Sequence, residues 1–129
     1  MNKGIDFIKV HAGWDECIFL YGDQVPDGKE LEVGLSLLQQ PNIRGTEVGI
    51  LYKPEVGGDI KIKMLDITNK GFIRMCGGLT QSLGKAVAET GIARYFNIKI
   101  QEPETKFVLE TEIGPIPIRV DVINSTLSH

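Results

Sequence analysis

Residues 77–89, GGLTQSLGKAVAE, constrain this chain more than any other stretch. Leu79, Leu83, Ala86 and Val87 repeat at helical spacing, and between residues 77 and 91 only Lys85 and Glu89 are charged. A helix that is apolar nearly all round is normally enclosed. Almost everything on either side of it reads as strand. IDFIKVHA alternates, CIFLYG is the continuous apolar run of a buried strand, and EVGILYKP, IKIKMLDI and FIRMC follow as further strands. ARYFNIKIQ, KFVLETEI and GPIPIRVDVI are predicted to complete the set. The expected fold is α+β: a strongly curved, mainly antiparallel sheet wrapped around one central helix, about 77–90.

Turn chemistry supports that division. GDQVPDG is dense in turn residues, VGGD and TNKG separate strands, and Gly91 is a stop for the central helix. Leu31, Leu35 and Leu38 predict a short second helix over about 28–39, ended before Pro41. Two prolines in GPIPIRVDVI cannot donate to a ladder, so that half of the last strand is expected at an edge or a bulge.

Composition narrows the function classes. The chain has 129 residues, enough for a single domain over 1–129 with a modest core. The net charge of −3 and the scattered Lys and Arg give no basic footprint, so no nucleic-acid partner is expected. No apolar run approaches the roughly 20 residues of a membrane helix, and the N-terminus lacks the pattern of a secretion signal. A cytoplasmic protein is the expectation. Cys17 and Cys76 are then expected as reduced thiols. No CxxC pair or His/Cys ligand spacing is present, so no metal site is expected. His11 is assigned a hydrogen-bonding role in the first turn, and His129 a place in a frayed tail.

Cys76 is the candidate for chemistry. It stands directly before Gly77 and Gly78, which open the central helix. A helix start presents unpaired N–H groups and the positive end of the dipole, and both favour a thiolate. Thiols in such places titrate at roughly 3.5–7.5 instead of about 8.5. Gly77 and Gly78 have no Cβ to bar a ligand, and their N–H groups suit a carboxylate. The alternative is a small buried Cys76 after a strand, with glycines that only make the turn.

The order of these features resembles the N-terminal half of the diaminopimelate epimerase family, amino-acid racemases and epimerases that work without pyridoxal phosphate. FIKVHAGWDECIF is similar to the family's opening Phe-x-Lys-x-His, Gly-Asn-Asp turn and apolar strand. RGTEVGILYKP is similar to its Gly-Ala-Asp-Gly segment. IKMLDITNKGFIRMCGG is similar to its hairpin, which ends in Met-Cys-Gly, and LTQSLGKAVAETG takes the place of its central helix. The resemblance spans about residues 5–122. It implies that the Cys76 thiolate takes or returns an α-proton, that no cofactor takes part, and that the ligand is a small molecule such as an amino acid. It also implies a second half to supply the opposing thiol, as a homodimer mate or a complementary half-domain. The family's substrate-holding asparagines fall at Trp14 or Asp15, at Asp66 and at Gly78, so these positions, with Gly77 and the loop residue Glu47, are the expected ligand contacts. Aspartate offers only acceptors when ionised, which turns the pocket away from an ordinary carboxylate and toward a more cationic ligand. A non-catalytic binding or interaction module on the same fold is the alternative.

Overall fold

In a computed structural model the described residues are 5–12 and 15–122. Seven strands form one sheet: β1 (Phe7–Ala12), β2 (Asp15–Tyr21), β3 (Glu47–Tyr52), β4 (Ile60–Asp66), β5 (Gly71–Ile73), β6 (Glu104–Thr111) and β7 (Gly114–Asp121). The order is β1-β2-β3-β4-β6-β7, with β5 beside β4. Four pairings are antiparallel. The two parallel ones, β2–β3 and β4–β6, are each bridged by a helix, as parallel neighbours require. These helices are α1 (Glu30–Leu38) and α2 (Gly77–Glu89), and a four-residue α3 (Ile92–Tyr95) follows α2.

The continuous apolar run of β2 is buried on both faces because the sheet has two cores. Cys17 and Phe19 point inward, where Leu79, Leu83, Ala86 and Val87 of α2 pack among Ile62, Met64, Phe107 and Leu109. Ile18 and Leu20 point outward and join Val48, Ile50 and Leu65 under α1. The same alternation runs through β4, with Ile62 and Met64 inward and Leu65 outward. The inner core therefore encloses the long helix. α2 touches β1 and β2 on one side and β7 on the other, and the sheet stays open between β1 and β7. The enclosure is partial: Gly77, Gln81, Lys85 and Glu89 form an exposed stripe one turn apart.

The last strand answers the proline expectation. A two-residue loop joins β6 to β7, and the closing pair Thr111–Gly114 is of the hydrogen-bonded type. Alternation from that pair turns the nitrogens of Pro115 and Pro117 away from β6, onto the free edge of the sheet. One element differs from the expectation. ARYFNIKIQ is not a strand: Ile92–Tyr95 is helical and residues 96–101 are irregular. Ile92 and Ala93 are buried, and Phe96 and Ile98 pack on the inner core, so helical spacing decides the segment.

Candidate functional site

α2 carries the candidate nucleophile on its first turn. Cys76 is the N-cap residue, with extended φ −142° and ψ 117°. Its Sγ accepts the Leu79 N–H at 3.4 Å, so the sulfur takes the place that a serine or aspartate oxygen usually holds. Thr80 donates its hydroxyl back to the Cys76 carbonyl at 2.9 Å, which ties the cap to the helix. Cys76 is half-buried. A Cβ built on Gly77 would meet nothing within 4 Å, so the helix start is open beside the sulfur.

Topology fixes which part of the sheet shares this end. α2 leads into α3, whose Tyr95 ring stacks on Tyr21 at 4.1 Å between centroids. Tyr21 is the last residue of β2. Thirteen helical residues cover about 20 Å and seven strand residues about 23 Å. The α2 start therefore lies toward the opposite end of β2, level with Asp15–Cys17.

At that end the sheet register lines up Val10, Cys17, Glu47, Asp66 and Gly71 across five strands. Cys17 and Glu47 are both buried. The Cys17 thiol donates to Glu47 Oε1 at 3.7 Å, and the Thr46 hydroxyl donates to the same oxygen at 3.0 Å. Thr46 is held in turn by Glu16, whose carbonyl takes the Thr46 N–H at 2.8 Å. Asp66 closes the β4–β5 hairpin: its Oδ1 accepts the N–H groups of Thr68 at 2.5 Å and Asn69 at 3.3 Å. That task accounts for an aspartate here without reference to a ligand. Trp14 lies outside the described residues, as does His129. For Asp15 the backbone is described, opposite Ala12 at the start of β2. His11 pairs with Glu16 across the β1–β2 ladder, the local role expected of it.

No protein-family model matches the chain, and no curated protein matches it in sequence. Solved structures do match. A methylitaconate delta-isomerase superposes with a TM-score of 0.71 over 94% of this chain, at 21% identity. A hydroxyproline epimerase from Agrobacterium vitis, with bound trans-4-hydroxy-L-proline, gives 0.71 over 94% at 21%. A probable proline racemase from Agrobacterium radiobacter K84, with bound carbonate, gives 0.71 over 95% at 18%. The chain has the diaminopimelate epimerase-like fold. It spans 35%, 38% and 39% of those three chains respectively.

Within the diaminopimelate epimerase-like fold, the structure brings Cys76, Gly77 and Gly78 together at the helix start and sets Glu47 and Asp66 in one inner row at the same end of the sheet. Cys17 joins that row. Sequence reasoning treated Cys17 as packing and Glu47 as a loop carboxylate. The signal that links them is register: Cys17 and Glu47 are Cα partners on parallel strands, and parallel register cannot be counted from a turn.

Proposed function

We propose that the chain is one half of a cofactor-independent isomerase of the racemase or epimerase type, with Cys76 as its proton-transfer group. The observation that carries this reading is the sulfur at the N-cap of the central helix. The Leu79 N–H already points at it, and the helix dipole favours the charged form. In the proposed step the Cys76 thiolate takes the proton from a carbon α to a carboxylate. The S–H bond forms as the C–H bond breaks, and the electron pair stays on the substrate. N–H groups of Gly77 and Gly78 suit the substrate carboxylate. The carboxylates of Glu47 and Asp66, at the same end of the sheet, favour an ammonium on the ligand.

Reprotonation from the opposite face needs a second acid, because one side chain cannot reach both faces of a carbon. A dimer mate or a complementary half-domain supplies it. The test is α-proton exchange in D₂O over a panel of amino acids, followed by NMR. Wild type is expected to exchange the α-proton of its substrate. Cys76→Ser is expected to be slower by about 10² or more, the usual worth of a general base. Exchange that survives the substitution overturns the assignment.

A second reading, a non-catalytic binding module, draws on Asp66, whose carboxylate is committed to the hairpin turn. It predicts no exchange with any amino acid and ligand binding that Cys76→Ser leaves intact.

A further inference from the structure

A cavity of about 560 Å³ opens where β5 and β6 share one edge of β4. β6 pairs with β4 only at Ile60 and Lys61, and β5 only at Met64–Asp66. Ile62 and Lys63 have no strand opposite them on that side. The gap between the last paired residues, Lys61 and Met64, is three strand rises, about 10 Å. That is too short for an added strand and wide enough for a small molecule. Ile62, Met64 and Ile73 give the notch an apolar floor, and Phe72 and Val56 stand exposed beside it.

The charges around the notch fall into two sets. One set is already matched within the protein. Glu110 takes the N–H groups of Glu55, Val56 and Gly58 at 2.7, 2.9 and 2.7 Å. Lys61 pairs with Glu55 at 2.8 Å, and Lys63 lies 3.7 Å from Glu30. The other set is Arg74 and Glu112. Both are exposed and line the cavity, and among the described residues neither makes an ion pair or a side-chain hydrogen bond. Arg74 belongs to the chain that leaves β5, and Glu112 to the β6–β7 turn, so the two stand on facing walls. The notch thus offers one cation, one anion, an apolar floor between them and a β4 edge that a peptide group can pair with.

We infer that this notch binds a short apolar peptide with free termini, of about dipeptide size. Its C-terminal carboxylate lies on Arg74, its N-terminal ammonium on Glu112, and its peptide group along β4 at Ile62–Lys63. Backbone pairing with apolar side-chain contact and capture of chain ends are established modes of peptide recognition. A single amino acid sets its two charges too close together to reach both walls and leaves most of the volume empty. The site is distinct from the Cys76 centre and stands whether or not Cys76 moves a proton.

The probe is L-leucyl-L-leucine, titrated into the full chain and followed by backbone amide NMR. Saturable shifts are expected at Ile62–Met64, Ile73–Arg74 and Thr111–Glu112, unchanged in Cys76→Ser. Acetylating the probe's amine, or amidating its carboxylate, is expected to weaken binding about tenfold, the loss of one charge-assisted pair. Arg74→Gln is expected to bind the free peptide and its C-terminal amide equally, and Glu112→Gln the free and acetylated peptides equally. Both substitutions are at exposed positions, so an unaltered spectrum elsewhere verifies the fold. Doubly blocked peptide binding as well as free peptide, or free leucine binding as well as the dipeptide, overturns the proposal. So does the absence of saturable shifts at those amides.

Discussion

Two thiols lie toward one end of the molecule, and their surroundings separate them. Cys17 is fully buried beside the Glu47 carboxylate, and Cys76 is half-buried at an open helix start. A thiol reacts only where a reagent can reach it. Iodoacetamide is therefore expected to label Cys76 in the native protein and Cys17 only after unfolding, which peptide mass spectrometry reads directly. Equal native labelling would show that the inner row opens without global unfolding. Ser82 poses a different question on the same helix. Its hydroxyl is fully buried in α2 and has no hydrogen-bond partner among the described residues. A buried polar group left unpaired costs about 1–3 kcal/mol. Ser82→Ala is expected to stabilise the fold by about 1 kcal/mol, a gain further helped by alanine's helix propensity. A lower urea midpoint for the variant would place a partner on that hydroxyl.

At the scale of elements, Glu110 on β6 fastens the β3–β4 connection by accepting three backbone N–H groups. Those N–H bonds, led by that of Glu55, hold its carboxyl below the usual glutamate range against the opposing effect of burial. A carboxylate with a lowered folded-state pKa adds stability that is fully present above its unfolded value, near pH 4.5, and is lost as pH falls through the folded value. Glu110→Gln is expected to be less stable at pH 7, because an amide presents one acceptor oxygen to three donors. Its stability is expected to fall less steeply with acid than that of wild type below pH 4.5. Parallel urea titrations at pH 7, 4 and 3 measure both effects. None of this clamp was legible in the sequence, where Glu110 was one charge in an alternating strand. The elements that periodicity does fix were legible: α1, α2, and the β4–β5 hairpin that delivers Cys76 to its helix. Residues 92–101 were not, because apolar residues at both helical and alternating intervals fit either template. The contact of Phe96 and Ile98 with the inner core decided between them. The site was half legible. Cys76 and its glycines are adjacent in sequence, whereas the Cys17–Glu47 pair depends on a parallel register that only the α1 crossover sets.

For the whole molecule, the decisive fact is an open sheet around a helix that is covered on one side. A groove of about 510 Å³ runs between α2 and β7, floored by Gly84 and Ala88 and rimmed by Gln81 and Lys85. No helix among the described residues is long and apolar enough to cross a membrane. The β7 edge is poorly suited to ladder growth, since Pro115 and Pro117 turn their nitrogens outward and leave donors only toward Arg119 and Asp121. Edge-to-edge sheet extension is thus disfavoured over half the strand, and a mate must engage the face at the α2 start instead. Proton transfer on both faces of one carbon demands such a mate. The solved structures of this fold are between two and three times as long as this chain. If a second copy is the mate, sedimentation equilibrium at tens of micromolar gives twice the 14.2 kDa chain mass. Native labelling of Cys76 then slows as concentration rises, because the two helix starts face each other across the cleft. A mass of one chain at every concentration assigns the opposing acid to a different polypeptide. In that case the labelling rate of Cys76 is independent of concentration and falls only when that partner is added.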